Sequence, residues 1–211
     1  MLTGTNDLMN FVLLLEHVIS IQLSVSPDYI LGGNPLALHC SFDTDVTDPW
    51  VTFSKDSTLI GFIWNCKENG ITSCLSTPKC HCDSKSEYYI WSYTWNYTPS
   101  NENMIDATFG CTLGASESVI RVKKAELSNV TVSPALSVFT ATENATLENI
   151  TCTALCWPEC SFQWTGPNSF IYNGDILRLS NIQQSSSGLY RCRATNVVGT
   201  NYSNFFDIRV Q

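Results

Sequence analysis

The residues best suited to chemistry in this 211-residue chain form a cluster of cysteines with one histidine among them. The cluster comprises Cys66, Cys74, Cys80, His81 and Cys82. Cysteine and histidine are common zinc ligands, but structural zinc sites favour cysteine pairs separated by about two to four residues. Only Cys80 and Cys82 lie close together, and the single residue between them is too short a spacing for both to bind one zinc ion. We therefore predict two extra disulfides, with three connectivities open, and neither metal nor cofactor.

A second short pair, Cys156 and Cys160, encloses Trp157, Pro158 and Glu159. Such a pair predicts a disulfide that braces a loop. The structural interpretation is bracing alone. The functional interpretation is that the braced loop presents Trp157 to a partner, because loops at the end of a rigid scaffold are frequent contact surfaces.

Other residue patterns speak against catalysis and against nucleic-acid binding. The sequence holds three histidines and has no G-x-S-x-G elbow, H-E-x-x-H motif or phosphate-binding loop. Its formal net charge is −8, with only eleven Lys and Arg residues. A nucleic-acid or anionic-membrane surface needs clustered basic residues. We predict a protein that is not an enzyme and does not bind nucleic acid.

Cysteine content and the amino-terminal residues indicate an extracellular protein. Ten cysteines, an even number, fit an oxidising compartment. The apolar run 11–15 predicts a cleaved signal peptide over residues 1–20. No Lys or Arg precedes the run and Glu16 follows it, so a mis-started gene model is the alternative. No later stretch has the ~20 apolar residues of a membrane span, so we expect a secreted protein or a cell-surface ectodomain, attached to a membrane only through a segment outside this chain.

Five Asn-x-Ser/Thr sequences predict glycosylation, which also fits secretion. They begin at Asn96, Asn129, Asn144, Asn149 and Asn201. Asn149 has the opposite parity to Cys152 in a predicted strand, so it is expected to point outward. Glycans at such positions would shield the surfaces around them.

An internal repeat divides the chain. The segment Leu-Ser-Val-Ser-Pro at 23–27 recurs as Val-Thr-Val-Ser-Pro at 130–134, and each is followed by an alternating run that ends at Cys40 or Cys152. Period-two alternation predicts strands with one buried face. We predict two tandem units, residues 21–123 and residues 127–211. The short connection lacks Gly and Pro, which limits hinge freedom.

The second unit contains a recognisable set of spacings. Trp164 lies twelve residues after Cys152, Cys192 lies forty after it, and Tyr190 precedes Cys192 by two. With the Asn196–Gly199 hairpin segment, this pattern strongly resembles an immunoglobulin (Ig) domain of the I-set or C2 branch. The resemblance implies an all-β sandwich, a Cys152–Cys192 disulfide between its sheets, Trp164 packed on that bond and Tyr190 bonded to the preceding turn.

The first unit resembles a variable-type Ig domain. By this resemblance Cys40 pairs with Cys111, and Phe109 takes the place of the tyrosine, without its hydroxyl. The interval from Cys40 to Cys111 is 71 residues, against 40 in the second unit, which leaves room for two extra strands.

The core tryptophan of the first unit has no unique candidate. Phe53, thirteen residues after Cys40, has the best spacing, and Trp50 and Trp64 are alternatives. An aromatic run at 88–97 places five Tyr and Trp side chains on one face of a predicted strand, which we expect to be core.

The fold alone does not fix function. The Ig resemblance implies a non-catalytic recognition module of the adhesion or immune-receptor type. It would bind a cell-surface or secreted protein, either homophilically or heterophilically, and a glycan partner stays open. The alternatives are a soluble secreted defence or pattern-recognition factor and a structural spacer from a multi-Ig matrix protein.

Overall fold

A computed structural model describes residues 20–43, 50–64, 73–74, 80–83, 90–100 and 105–211. Regular structure in these residues is strand, apart from one turn of 3₁₀ helix at Gln184–Ser186. No helix in this part of the chain is long and apolar enough to cross a membrane. The prediction of an all-β chain with two tandem sandwiches is confirmed. The predicted signal peptide lies outside the described residues, apart from Ser20.

Ten strands of the first unit are described. In chain order they are β1 (Ser20–Ser26), β2 (Tyr29–Ile30), β3 (Leu36–Asp43), β4 (Val51–Lys55), β5 (Thr58–Trp64), β6 (Ser73–Cys74), β7 (Cys80–Asp83), β8 (Ile90–Tyr97), β9 (Ala107–Leu113) and β10 (Ser116–Lys124). One sheet has the order β1-β3-β8-β7, and the other has the order β2-β10-β9-β4-β5-β6. Strands β5 and β6 thus lie within the long interval between Cys40 and Cys111.

Strict alternation creates the core of the first unit. Successive side chains of a strand point to opposite faces, so an apolar residue at every second position builds one buried face. The fully or nearly fully buried residues on β3, β4 and β9 follow this rule: Leu36, Leu38, Cys40, Phe42, Val51, Phe53, Ala107, Phe109, Cys111 and Leu113.

A two-residue hairpin fixes the position of β4 and β5 against β9. Asp56 and Ser57 have positive φ values of 48° and 64°, as tight hairpins that match strand twist require. The Asp56 amide donates to the Thr108 carbonyl (2.7 Å), and the Thr108 amide donates to Asp56 Oδ1 (2.9 Å). That second bond is the main reason why the pKa of the Asp56 carboxyl lies below its ordinary value.

The second unit begins with a strand inside the connecting segment. Its strands are β11 (Glu126–Leu127), β12 (Thr131–Ser133), β13 (Val138–Ala141), β14 (Ile150–Thr153), β15 (Cys156–Trp157), β16 (Ser161–Thr165), β17 (Ile171–Asn173), β18 (Ile176–Leu177), β19 (Gly188–Asn196), β20 (Gly199–Tyr202) and β21 (Phe206–Val210). Strands β12-β14-β18 form one sheet, and β13-β21-β19-β16-β17 form the opposite sheet, with β20 paired to β19. Strands β11 and β15 pair separately.

Aromatic rings fill the centre of the second unit. Phe206 contacts Trp164, Tyr190 and Phe139, with ring centroids 5.9, 5.9 and 5.2 Å apart. Two of these contacts are edge-to-face, which the ring quadrupoles favour. Trp164 is completely buried.

A tyrosine hydroxyl ties β19 to the turn before it. The Tyr190 hydroxyl donates to the Ser186 carbonyl (2.9 Å). Gly188 enters the strand with φ +140°, and a Cβ there would lie 3.2 Å from Pro167 Cβ, so this turn requires glycine. Burial raises the pKa of the Tyr190 hydroxyl, because the phenolate would lose its hydration.

Replacing Tyr190 by phenylalanine should lower the free energy of unfolding of the second unit by about 0.5–1.5 kcal/mol, because a buried hydrogen bond is lost while the ring stays. Urea unfolding followed by tryptophan fluorescence measures this. A raised pKa of the folded state means that the hydroxyl contributes stability below its ordinary pKa of 10 and loses it as the pH rises further. The wild type should therefore lose stability above pH 10 more steeply than Tyr190→Phe.

Tyr172→Phe is the matched control. Tyr172 packs against the same core but makes no hydrogen bond with its hydroxyl in the described structure. Equal losses in the two variants would show that the hydroxyl of Tyr190 has no special role.

Candidate recognition surfaces

Three disulfides lie among the described residues. Cys40–Cys111 joins β3 to β9, and Cys152–Cys192 joins β14 to β19, with Cα–Cα distances of 6.3 and 6.4 Å. Each bond therefore links the two sheets of its own unit. The third, Cys156–Cys160, closes a loop of four residues' separation, with Cα atoms 5.7 Å apart.

An aromatic residue stands beside the inter-sheet cysteine in each unit. Trp164 is the direct cross-strand partner of Cys192, and Phe53 is the direct partner of Cys111. Both rings are 0% exposed. Phe53 thus holds in the first unit the position that Trp164 holds in the second. Of the two alternatives, Trp50 is 59% exposed, and the side chain of Trp64 lies outside the described side chains.

Phe109 replaces the corner tyrosine in the first unit and is completely buried. Its ring meets the ring of Tyr97 edge-to-face, with centroids 5.6 Å apart. Tyr97 ends β8, the strand that contains most of the predicted aromatic run. The remaining aromatic side chains of that run lie outside the described side chains.

The four-cysteine cluster falls largely outside the described residues. Cys66 is not among them, and Cys74, Cys80 and Cys82 belong to β6 and β7, which are described through backbone pairing alone. Their two disulfides remain a prediction. Among the described residues, no group of three or more His, Cys, Asp or Glu side chains is arranged to hold a metal ion.

The predicted glycosylation positions lie at different depths. Asn129, Asn144 and Asn149 are exposed, while Asn96 and Asn201 are partly buried. The side-chain amide of Asn201 donates to the Ser128 carbonyl (3.1 Å), so this amide serves the connection between the units. Asn96 lies on β8, in the sheet opposite to β4, β5, β9 and β10. Glycosylation at these five residues stays a prediction.

A bulge gives the first unit an apolar outer face. The pairing of β4 with β5 shifts between Phe53 and Ser54, so that Thr52 is opposite Phe62 and Ser54 is opposite Leu59. Without the shift, residues 59 and 62 would have opposite parity. The bulge therefore turns both Leu59 and Phe62 outward.

The outer face of strands β10, β9, β4 and β5 is called here the first-unit face. Its exposed apolar side chains are Trp50, Leu59 and Val119, which are 59, 59 and 60% exposed. Trp50 stacks on Phe62 with ring centroids 5.4 Å apart. Neighbouring strands are spaced by about 4.8 Å, so the four strands span roughly 14 Å.

Gly110 keeps the centre of the first-unit face flat. It points outward from β9, and a Cβ there would lie 2.6 Å from Ser54 Oγ and 3.5 Å from a methyl carbon of Val119. Ser54 and Val119 thus close over the backbone of β9. The charged side chains Glu117 and Arg121 lie along β10 on either side of Val119. The Glu117 carboxylate reaches towards the centre of the face, since its Oε1 lies 3.3 Å from the same Cβ position of Gly110.

The connecting segment is bonded to the first unit. The Lys124 amide donates to Asp106 Oδ1 (3.1 Å), and the Ala125 amide donates to the Ile30 carbonyl (2.7 Å). Ala125 itself is buried, at 6% exposure. The chain therefore leaves the first unit with its backbone groups already paired.

The same segment is bonded to the second unit within the next three residues. Strand β11 pairs with β15, the strand that starts at Cys156. The Ser128 amide donates to the Leu155 carbonyl (2.9 Å), and Ser128 Oγ accepts from the Leu155 amide (2.7 Å). The disulfide-braced loop thus provides strand β15, with which the connecting segment pairs.

Trp157 lies inside this junction. Lys123 Nζ is 4.8 Å from the centroid of its ring, and its indole N–H is buried without a hydrogen-bond partner in the described structure. The sequence left two interpretations of this loop, bracing alone and presentation of Trp157 to a partner. The structure places Trp157 beside Lys123 of the connecting region and opposite Glu126 of β11. Binding of a partner by Trp157 stays a prediction.

Asn196 closes the junction. Its amide nitrogen donates to the carbonyls of Glu126 (2.8 Å) and Pro158 (3.0 Å) and lies 3.4 Å from the carbonyl of Trp157. Its Oδ1 accepts from the Val198 amide (2.9 Å). Sequence reasoning used Asn196 as a hairpin residue and gave no signal of this wider role.

Comparison with known proteins identifies the second unit. Residues 127–210 match the family model for the immunoglobulin domain. A search of curated protein sequences found no match.

Several solved structures that contain Ig domains are similar to this chain. One is Dpr11 IG1 bound to DIP-gamma (14% identity, 91% of this chain and 99% of that chain covered, TM-score 0.45). Others are an amphioxus IgVJ-C2 molecule (18%, 84% and 97%, 0.39) and the Ig1-2 module of the Drosophila receptor protein tyrosine phosphatase DLAR (15%, 92% and 100%, 0.33).

Asn196→Asp should loosen the junction. The substitution keeps the acceptor for Val198 but places a second oxygen against the carbonyls of Glu126 and Pro158, at a cost of about 1–3 kcal/mol. Hydrogen exchange should show faster amide exchange at residues 126–128. Asn173→Asp, an exposed position whose Oδ1 is also an acceptor, is the control. Unchanged protection in Asn196→Asp would contradict the role given to this side chain.

Proposed function

We propose that this chain, whose second unit matches the immunoglobulin-domain model, is a non-catalytic extracellular recognition protein that binds a partner protein through the first-unit face. The observation that carries the proposal is the group of exposed apolar side chains on one sheet. Trp50, Leu59 and Val119 are each more than half exposed on adjoining parts of that sheet.

Such a group is costly to leave in water. Burial of apolar surface contributes about 25 cal/mol per Å², and exposed apolar patches with a polar border mark contact sites in soluble proteins. Tryptophan is the residue most enriched among binding hot spots, and Trp50 is already ordered by stacking on Phe62. Less side-chain entropy is therefore lost when a partner covers it.

The backbone below the face is held by hydrogen bonds and by a disulfide. The Asp56 hairpin is bonded to Thr108 in both directions, and Cys111 anchors β9 to the opposite sheet. A preformed contact surface of this kind needs little reorganisation on binding.

The predicted glycans leave the face accessible. Asn96 lies on the opposite sheet of the first unit, and the other four candidates belong to the second unit. Disulfides in both units fit an oxidising, extracellular compartment.

Val119→Asp and Leu59→Asp should each weaken partner binding tenfold or more, equivalent to about 1.4 kcal/mol, because a charge would be placed among the apolar side chains of the contact. The measurement is binding of the oligomerised chain to cells of its own species and to beads that bear the same chain. The bead arm distinguishes homophilic from heterophilic binding.

Ile105→Asp is the matched control. Ile105 is 60% exposed, lies in the same unit before β9 and receives the same charge away from the face. Equal binding by the wild type, Val119→Asp and Leu59→Asp would overturn the proposal, as would an equal loss in Ile105→Asp.

A further inference from the structure

The second unit has a face of a different character. The outward residues of β19 are Leu189, Arg191, Arg193 and Thr195, because they alternate with the buried Tyr190, Cys192 and Ala194. Across the sheet, Arg193 lies opposite Gln163 of β16 and Tyr202 of β20. This outer surface around β19 is called here the second-unit face.

Positive charge is concentrated on the second-unit face. Residues 127–211 contain four basic residues, and three of them, Arg191, Arg193 and Arg209, lie on this sheet. Arg209 is neutralised by Asp207, since Nε and Oδ2 are 2.8 Å apart. In the described part of the chain, Arg191 and Arg193 take part in no ion pair. Two uncompensated arginines thus lie side by side in a protein of net charge −8.

Arg191 is held in one orientation. Its guanidinium carbon lies 4.1 Å from the ring centroid of Tyr202 and 4.9 Å from that of Phe205, and its Nε donates to the Ser203 carbonyl (3.1 Å). Neither the ring stacking nor the Nε hydrogen bond uses the two terminal nitrogens of the guanidinium, so these can donate to another acceptor. A planar, preorganised guanidinium is well suited to bidentate binding of a carboxylate.

Arg193 lines a shallow depression of about 260 Å³. Around it are the amides of Gln163 and Asn173 and the hydroxyls of Thr195 and Thr200. The two amides bond to each other (2.8 Å) and the two hydroxyls bond to each other (3.0 Å), which orders the rim. No acidic residue is among those described in the lining.

We propose that the second-unit face binds an acidic, extended segment of a partner protein, whose carboxylates pair with Arg191 and Arg193. Alternate residues of a strand are separated by about 7 Å, so the two arginines match acidic residues at alternate positions of an extended partner segment. None of the five predicted glycosylation positions lies on the outward side of this sheet; Asn201, on β20, is turned towards Ser128. The site is separate from the first-unit face and does not depend on it.

The test uses the full disulfide-bonded chain and a fluorescent peptide of six Glu-Thr repeats, with a Gln-Thr peptide as its neutral counterpart. Fluorescence anisotropy should show binding of the acidic peptide alone, weakened as salt is raised from about 50 to 300 mM, since screening shortens the range of the attraction. Arg193→Gln should weaken binding at least tenfold. Arg191→Lys should weaken it severalfold, because the charge stays but the planar fork is lost.

Arg178→Gln is the matched control, since it removes the same charge from the same unit but follows β18 in the opposite sheet. It should bind the peptide like the wild type. Val119→Asp should also bind normally, which separates this site from the proposed function. Thermal melting establishes that each variant is folded.

Several outcomes would overturn the proposal. These are no binding of the acidic peptide at low salt, equal binding of the neutral peptide, or equal losses in Arg178→Gln and Arg193→Gln. Arg193-dependent binding of polygalacturonate without peptide binding would reassign the face to an acidic glycan. Salt-sensitive self-association that Arg193→Gln abolishes, again without peptide binding, would reassign it to a second copy of the chain.

Discussion

The inter-sheet disulfide, covered by an aromatic ring, is the constraint on which the rest of this structure depends. It fixes Cys111 of β9 and Cys192 of β19 against the opposite sheet, and Phe53 and Trp164 fill the space beside each bond. A disulfide of this kind contributes about 2–4 kcal/mol by restricting the unfolded chain. Because the inward residues of β9 and β19 are fixed, the outward residues between them are fixed too. Gly110, Arg191 and Arg193 owe their positions to the same two bonds.

The two units use one architecture for surfaces of different chemistry. In the first unit the most exposed side chains, Trp50, Leu59 and Val119, are apolar, and the charges of Glu117 and Arg121 lie beside Val119 on β10. In the second unit the exposed centre is cationic, and aromatic rings serve to hold Arg191 in place. Apolar contacts contribute affinity through buried area, whereas charged contacts contribute association rate and selectivity. The two surfaces are therefore suited to different aspects of recognition.

Much of the fold could be predicted from the sequence because strand parity is a local property. The alternation around Cys40, Cys152 and Cys192 is visible in the printed letters, and so is the spacing that places Trp164 in the core. The outward position of Arg191 and Arg193 follows from the same parity, although sequence reasoning made no use of it. Phe53 had the best spacing but was not a unique candidate, whereas its cross-strand position beside Cys111 is a matter of strand register.

The positions of the surface residues could not be predicted from the sequence, because they depend on how strands pair, and local patterns do not reveal this. The bulge that turns both Leu59 and Phe62 outward is a matter of register between two strands. The position of Trp157 depends on where the connecting segment enters the second unit, which is a contact between β11 and β15. The β11–β15 pairing joins residues such as Glu126 and Trp157 that are far apart in the sequence, and no neighbouring residue signals it.

The connecting segment belongs to both units at once. Its amides at Lys124 and Ala125 are bonded to the first unit, and Glu126 to Ser128 are bonded to the second. When heat unfolds one unit, backbone groups of the connecting segment lose the hydrogen bonds that this unit made. The other unit is then less stable, so the two units melt more cooperatively. A cut made between the units for separate expression would leave Ala125 and the β15 edge uncovered, and both halves would melt at lower temperatures than they do in the intact chain.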